Sequence, residues 1–137
     1  LKELKELISQ SKHSQNIILT PFIPSKELIK KYSSANLFIL PSKSEGLGRV
    51  IIEAQSTACP VLVSSNTGMT DLIIENETGY IFENNNKQDL KDKIEYIIKN
   101  YDTAVQAGLN SREFVKDNQS VKNFEFGYKK LFDLVFT

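Results

Sequence analysis

The chain has 137 residues, 40% of them hydrophobic and 25% charged, a balance that suits one water-soluble domain with a single core. Lys and Arg number 17, as do Asp and Glu, so the formal charge is zero and no basic field exists to draw in nucleic acid. A single Cys59 excludes an internal disulfide, and neither a signal-peptide pattern nor a bilayer-length apolar run is present, which points to a reducing cytoplasmic setting.

The chain opens on "LKELKELISQSK", where Leu1, Leu4, Leu7 and Ile8 recur at helical spacing. A helix starting at the first residue, with no initiator methionine, reads as a piece of a longer protein. "NIILT" (16–20), closed by Pro21 and Pro24, predicts a buried strand running into a loop. Ser25 is placed to cap a helix through "KELIKKYSS", in which Leu28, Ile29 and Tyr32 share a face. "ANLFIL" (35–40) predicts a second strand, "GRVIIEAQSTA" a helix and "PVLVS" (60–64) a third strand. A short helix opened by Thr70 and a strand at "GYIF" (79–82) follow. Beyond Lys87 the pattern is helical: Leu90, Ile94, Ile97 and Ile98 mark one amphipathic helix, and Phe124, Tyr128, Leu131, Phe132 and Val135 another. "AVQAGLNSREFVKDN" between them has a weaker stripe, interrupted by Gly108.

Continuous apolar strands alternating with helices indicate an α/β fold with a parallel sheet covered on both faces. The expected fold is therefore a Rossmann-like parallel sheet of about four strands flanked by helices, with further helices at the C-terminus.

Several chemistries have no residues to carry them. There is no Asp-x-Asp pair, no Cys/His cluster, no Walker loop and no G-x-G-x-x-G run, so neither a metal nor a dinucleotide cofactor is expected. His13 reads as a surface residue at a helix C-terminus, and Cys59 as a small buried residue. What remains is "PSKSEGLGRVIIEA" (41–54). A strand ending at Leu40 delivers the chain to the carboxyl edge of the sheet, where open α/β folds bind ligands. Ser42, Ser44 and Gly46 make a polar loop, and a helix starting near Gly48 offers unpaired N–H groups to an anion. The same residues could instead serve only the fold. The glycines would close a turn, Glu45 would suit a helix N-terminus, and Glu53 would pair with Arg49 one turn earlier. Spacing leaves both readings open.

The wider order of residues adds a resemblance. From about residue 17 to 83 the chain resembles the donor-binding domain of GT-B glycosyltransferases of family 4, the glycosyl transferases group 1 type. Its carriers are "ANLFILPSKSEGLGRVIIEAQSTACPVLVSS" and "GMTDLIIENETGYIFE". Glu45 and Glu53, with seven residues between them, reproduce the paired glutamates of that family. The Gly-x-Gly after Glu45, the Glu-Ala, the Pro-Val and the later Thr-Gly all fall in family order.

The resemblance implies one domain over 1–137, the partial C-terminal nucleotide-sugar-binding domain of a GT-B enzyme. The N-terminal acceptor domain and the first strands of this domain would lie outside it. The implied reaction moves a sugar from a UDP- or GDP-linked donor to an acceptor hydroxyl with retention, without a metal. Glu45 would contact the donor sugar as the catalytic residue, and Glu53 the ribose hydroxyls. Backbone around Gly46, Leu47 and Gly48, together with Ser42, would receive the sugar and diphosphate, and Phe22 and Ile23 would neighbour the base. Implied partners are the nucleotide sugar and an acceptor glycan or lipid-linked glycan, in polysaccharide or glycolipid synthesis. The full-length protein would then associate peripherally with the inner face of the plasma membrane.

The family's diphosphate-clamping Arg and Lys lie upstream of this chain, so the isolated chain is expected to be inactive. The chain also departs from the family at the Gly before Pro, which is Cys59 or Ala58 here, at Thr67 in place of a glycine, and at Asp71 in place of a glutamate. A noncatalytic nucleotide-binding scaffold and a GT-B nucleotide-sugar epimerase are the competing readings.

Overall fold

A computed structural model of the chain describes residues 2–43, 48–68 and 70–118. In chain order its elements are α1 (Lys2–Gln10), α2 (Ser25–Ser34), β1 (Phe38–Leu40), α3 (Arg49–Ser56), β2 (Val61–Ser64), β3 (Tyr80–Phe82), α4 (Lys87–Lys99) and α5 (Tyr101–Asn118). Single 3-10 turns occupy Ser14–Asn16 and Thr70–Leu72. The strands form a parallel sheet in the order β1-β2-β3, with Leu40 beside Val63 and Ser64 beside Phe82.

Both faces of the sheet are covered, and the alternation along the strands shows by what. Val61 and Val63 of β2 point into a core with Tyr32, Ile51, Ala54, Cys59 and Ile73, the side of α2 and α3. Leu62, one step out of phase, joins Tyr80, Phe82, Ile97, Ala104 and Ala107 on the side of α4 and α5. This two-sided burial is why the strands read as unbroken apolar runs. It is also why a sheet this small excludes water from the whole of β2.

α5 continues onto α3, and Gly108 makes that approach feasible. A Cβ on Gly108 would lie 2.3 Å from the Ala58 carbonyl oxygen. The glycine that weakens the helical pattern in sequence is thus the contact point of two elements. Ala58 itself has φ 62, in the left-handed region. Its N–H donates to Gln55 O at 2.9 Å and that of Cys59 to Ala54 O at 3.2 Å, which closes α3 with a Schellman turn. The residue in the left-handed position of such a turn is usually glycine, and here it is Ala58.

Three expectations are corrected. The described sheet has three strands where about four were expected, because residues 16–20 do not form one. Ile18 is 87% exposed, and no described strand lies alongside to take its backbone hydrogen bonds. Ser25 is the first residue of α2, not its cap. The cap is Pro24, whose carbonyl accepts from the N–H groups of Glu27 and Leu28. The helix expected at Thr70 is only a 3-10 turn. The helix expected over 124–135 lies outside the described residues. β1 forms one edge of the sheet, with no partner on its outer side among the described residues.

Candidate functional site

The carboxyl ends of the three parallel strands meet at one edge of the sheet. There lie Pro41, Ser42 and Lys43 after β1, Ser65, Asn66 and Thr67 after β2, and Glu83 and Asn84 after β3. Gly48 returns to this edge with φ 45 and ψ 32, a left-handed conformation that suits glycine, and is buried where α3 begins. Its carbonyl accepts the Ile51 N–H at 2.8 Å, so Gly48 stands as the N-cap with no side chain over the end of the helix. Among the described residues no side chain caps the first N–H groups of α3 at this edge.

Glu53 sits one turn into α3, half-buried. Among the described residues it makes no ion pair with Arg49, so the local pairing that sequence spacing offered is not formed. Its electrostatic neighbour is Tyr32 on α2. Burial first, then the Glu53 charge and then Cys59, push the Tyr32 hydroxyl above its ordinary value. Tyr32 is fixed in turn by an edge-to-face contact with Phe38, ring centroids 5.3 Å apart. Cys59 is buried as expected, and burial raises its thiol, against a backbone hydrogen bond from Phe38 that lowers it.

The remaining candidates are distributed unevenly. Glu45, Gly46 and Leu47 lie outside the described residues. Ser42 is half-buried at the strand end. Phe22 is 93% exposed and Ile23 half-buried, and among the described residues no hydrogen bond links either to Glu53 or Lys43. Thr67 turns inward: it is buried, and its hydroxyl donates to Ser64 O at 3.0 Å. Asp71 is exposed on the 3-10 turn.

Sequence reasoning missed the asparagines of this edge. Asn66 and Asn84 both donate to the Lys43 carbonyl, and a cavity of about 250 Å³ opens between Lys43, Pro41, Phe82 and Asn84 and the start of α4. The only signal was position, since polar residues directly after "PVLV" and "GYIF" must lie at the carboxyl edge of a parallel sheet.

Residues 1–114 match the family described as Glycosyl transferases group 1. The chain belongs to that family. Its GT-B likeness is equally broad in three dimensions. The C-terminal domain of a glycosyl transferase group 1 family protein (LpcC) from Francisella tularensis superposes with a TM-score of 0.79 at 25% identity, over 88% of this chain and 62% of that one. Anabaena Alr3699/HepE, solved in complex with UDP-glucose, shares the fold with a TM-score of 0.81 at 20% identity, over 93% of this chain and 35% of that one. The capsular polysaccharide biosynthesis glycosyltransferase CapM of Staphylococcus aureus is 32% identical over 105 residues, 77% of this chain and 27% of that protein. This glycosyl transferases group 1 chain thus spans about a quarter of the length of curated relatives it matches. No described helix is long and apolar enough to cross a membrane.

Proposed function

We propose that this chain is the donor-binding part of a retaining glycosyltransferase that takes a nucleotide diphosphate sugar and serves polysaccharide or glycolipid synthesis. The observation that carries the reading is Glu53, a half-buried carboxylate on α3 with no ion-pair partner among the described residues, in a chain of this family. A carboxylate left unpaired by the fold can accept from two vicinal hydroxyls, as the ribose of a nucleotide presents them. The start of α3 at Gly48, with no capping side chain among the described residues, supplies N–H groups for diphosphate oxygens as charge develops on the leaving group. The UDP-glucose complex of the Anabaena relative supports a nucleotide sugar as the ligand class.

Glu45 is assigned to the sugar, Gly46, Leu47 and Ser42 to its approach, and Phe22 and Ile23 to the base. Residues 17–20 fit the third strand of a doubly wound sheet ordered 3-2-1-4-5-6. Two preceding strands would then separate them from β1, which accounts for their lack of a partner here. Those strands would also carry the cationic clamp for the diphosphate, so the 137-residue chain alone is expected to turn over no donor.

The test is made in the full-length protein. Glu53→Gln is expected to weaken nucleotide diphosphate binding by calorimetry about tenfold or more, the loss of a charge-assisted hydrogen bond. Glu45→Gln is expected mainly to lower turnover. Unchanged binding and turnover in both variants would overturn the assignment.

A further inference from the structure

Lys43 carries an unusual load for an exposed loop residue. Its carbonyl oxygen accepts from Asn66 Nδ2 at 2.8 Å and from Asn84 Nδ2 at 3.3 Å. The two donors come from different turns, 23 and 41 residues away in sequence, one after β2 and one after β3. Together they occupy both lone pairs of one carbonyl that water could have satisfied.

Asn84 is itself held. Its Oδ1 accepts from the hydroxyl of Ser64 at 3.2 Å, and its backbone N–H donates to Ser65 Oγ at 3.1 Å. Ser64 is fully buried at the end of β2. Turning the Asn84 amide over would set oxygen against oxygen at Lys43, so both ends of the amide are committed. Hydrogen bonds at an exposed edge add little to stability, and this arrangement is better suited to fixing a position. The position is that of Lys43, two residues before Glu45 in sequence.

We infer that Asn66 and Asn84 are positioning residues of the donor site: they anchor the Lys43 carbonyl to the ends of β2 and β3 and so set where the glutamate-bearing loop begins. This rests on the donor-site reading above. Neither residue touches the donor in this account. Each acts through the backbone of Lys43, two residues before Glu45.

The experiment uses the full-length protein. Asn84→Asp keeps the acceptor for Ser64 and replaces the donor toward Lys43 with a second oxygen, Asn66→Ala removes the other donor, and Asn66→Gln restores an amide. The Asn66→Ala/Asn84→Asp pair is expected to lower kcat about tenfold or more, since displacements near 1 Å in a reacting constellation have effects of that size. The thermal midpoint is expected to stay unchanged. Asn66→Gln is expected to retain more turnover than Asn66→Ala. Unchanged kcat in the pair, a parallel loss of kcat and thermal midpoint, or no recovery of turnover in Asn66→Gln would overturn the inference. Glu45→Gln run alongside separates the failures: if it also leaves turnover intact, the donor-site reading falls. If it abolishes turnover while the asparagine pair does not, only the positioning role falls.

Discussion

Two segments of this chain carry family motifs, and the fold uses them in opposite ways. In 70–82 the side chains of Thr78 and Glu75 are committed to the fold. The Thr78 hydroxyl accepts the Ile74 N–H at 2.8 Å, and the Glu75 carboxylate accepts the Ile81 N–H at 2.8 Å while pairing with Lys93. Gly79 lies so close to β2 that a Cβ would come within 2.6 Å of Val61 Cγ2. In 41–53, by contrast, Glu53 makes no ion pair among the described residues, and Gly48 begins α3 without a side chain of its own. A Thr-Gly motif and a Glu-x7-Glu motif look alike in sequence as short polar signatures. One holds the sheet together, whereas Glu53 of the other is given no ion pair by the fold among the described residues.

That contrast can be broken first at the packing positions. Gly108→Ala drives a Cβ into the Ala58 backbone, where no side chain can swing away, and is expected to lower the unfolding free energy by about 3 kcal/mol in chemical denaturation. Gly79→Ala meets a buried methyl group and is expected to cost about 2 kcal/mol. Neither changes the chemistry of the nucleotide site, so any folded fraction is expected to bind nucleotide diphosphate normally. Glu53→Gln sharpens the other side of the comparison, because its thermal midpoint is expected to match the parent while affinity falls. Should Glu53→Gln unfold the protein instead, the two segments are not different in kind.

A smaller effect of opposite sign is expected at the Schellman turn. Ala58→Gly removes a Cβ from a left-handed position and is expected to stabilise the chain by about 1 kcal/mol. The smallest effect is a matter of pH. Burial, with Tyr96 and then Glu75, raises the Tyr80 hydroxyl, and burial likewise raises Tyr32 and Cys59. Each group releases its proton more readily unfolded than folded. Stability is therefore full below the unfolded values and declines as pH rises through about 9 to 10. Tyr80→Phe also removes a buried hydroxyl with no hydrogen-bond partner among the described residues and is expected to flatten this alkaline decline in pH-dependent melts.

The fold was legible wherever burial was two-sided. The apolar runs at 37–40 and 61–64 announce parallel strands because helices cover both faces, and the order of motifs announces the family. Residues 16–20 misled because β-branched composition reports a tendency that a neighbouring strand must complete, and none lies beside them here. Gly108 lies in a helix as the pattern indicates, but helix propensity counts a glycine as a cost and cannot see the carbonyl it makes room for. At the site, the spacing of Glu53 left a pairing with Arg49 open, and only the folded geometry shows that among the described residues it is not formed. Asn66 and Asn84 were not legible, because their partner is a backbone carbonyl, and no side-chain pattern records which carbonyl a distant amide will meet.

The outer edge of β1 bears on how the chain behaves when handled alone. Among the described residues the outer side of Phe38, Ile39 and Leu40 has no strand partner, and Ile17, Ile18 and Phe22, before α2, are exposed. An open edge of this kind is a template for another strand. In solution the 137-residue chain is expected to self-associate as its concentration rises, and light scattering would reveal this. Supplying the edge with a strand in cis is then the route to a well-behaved monomer.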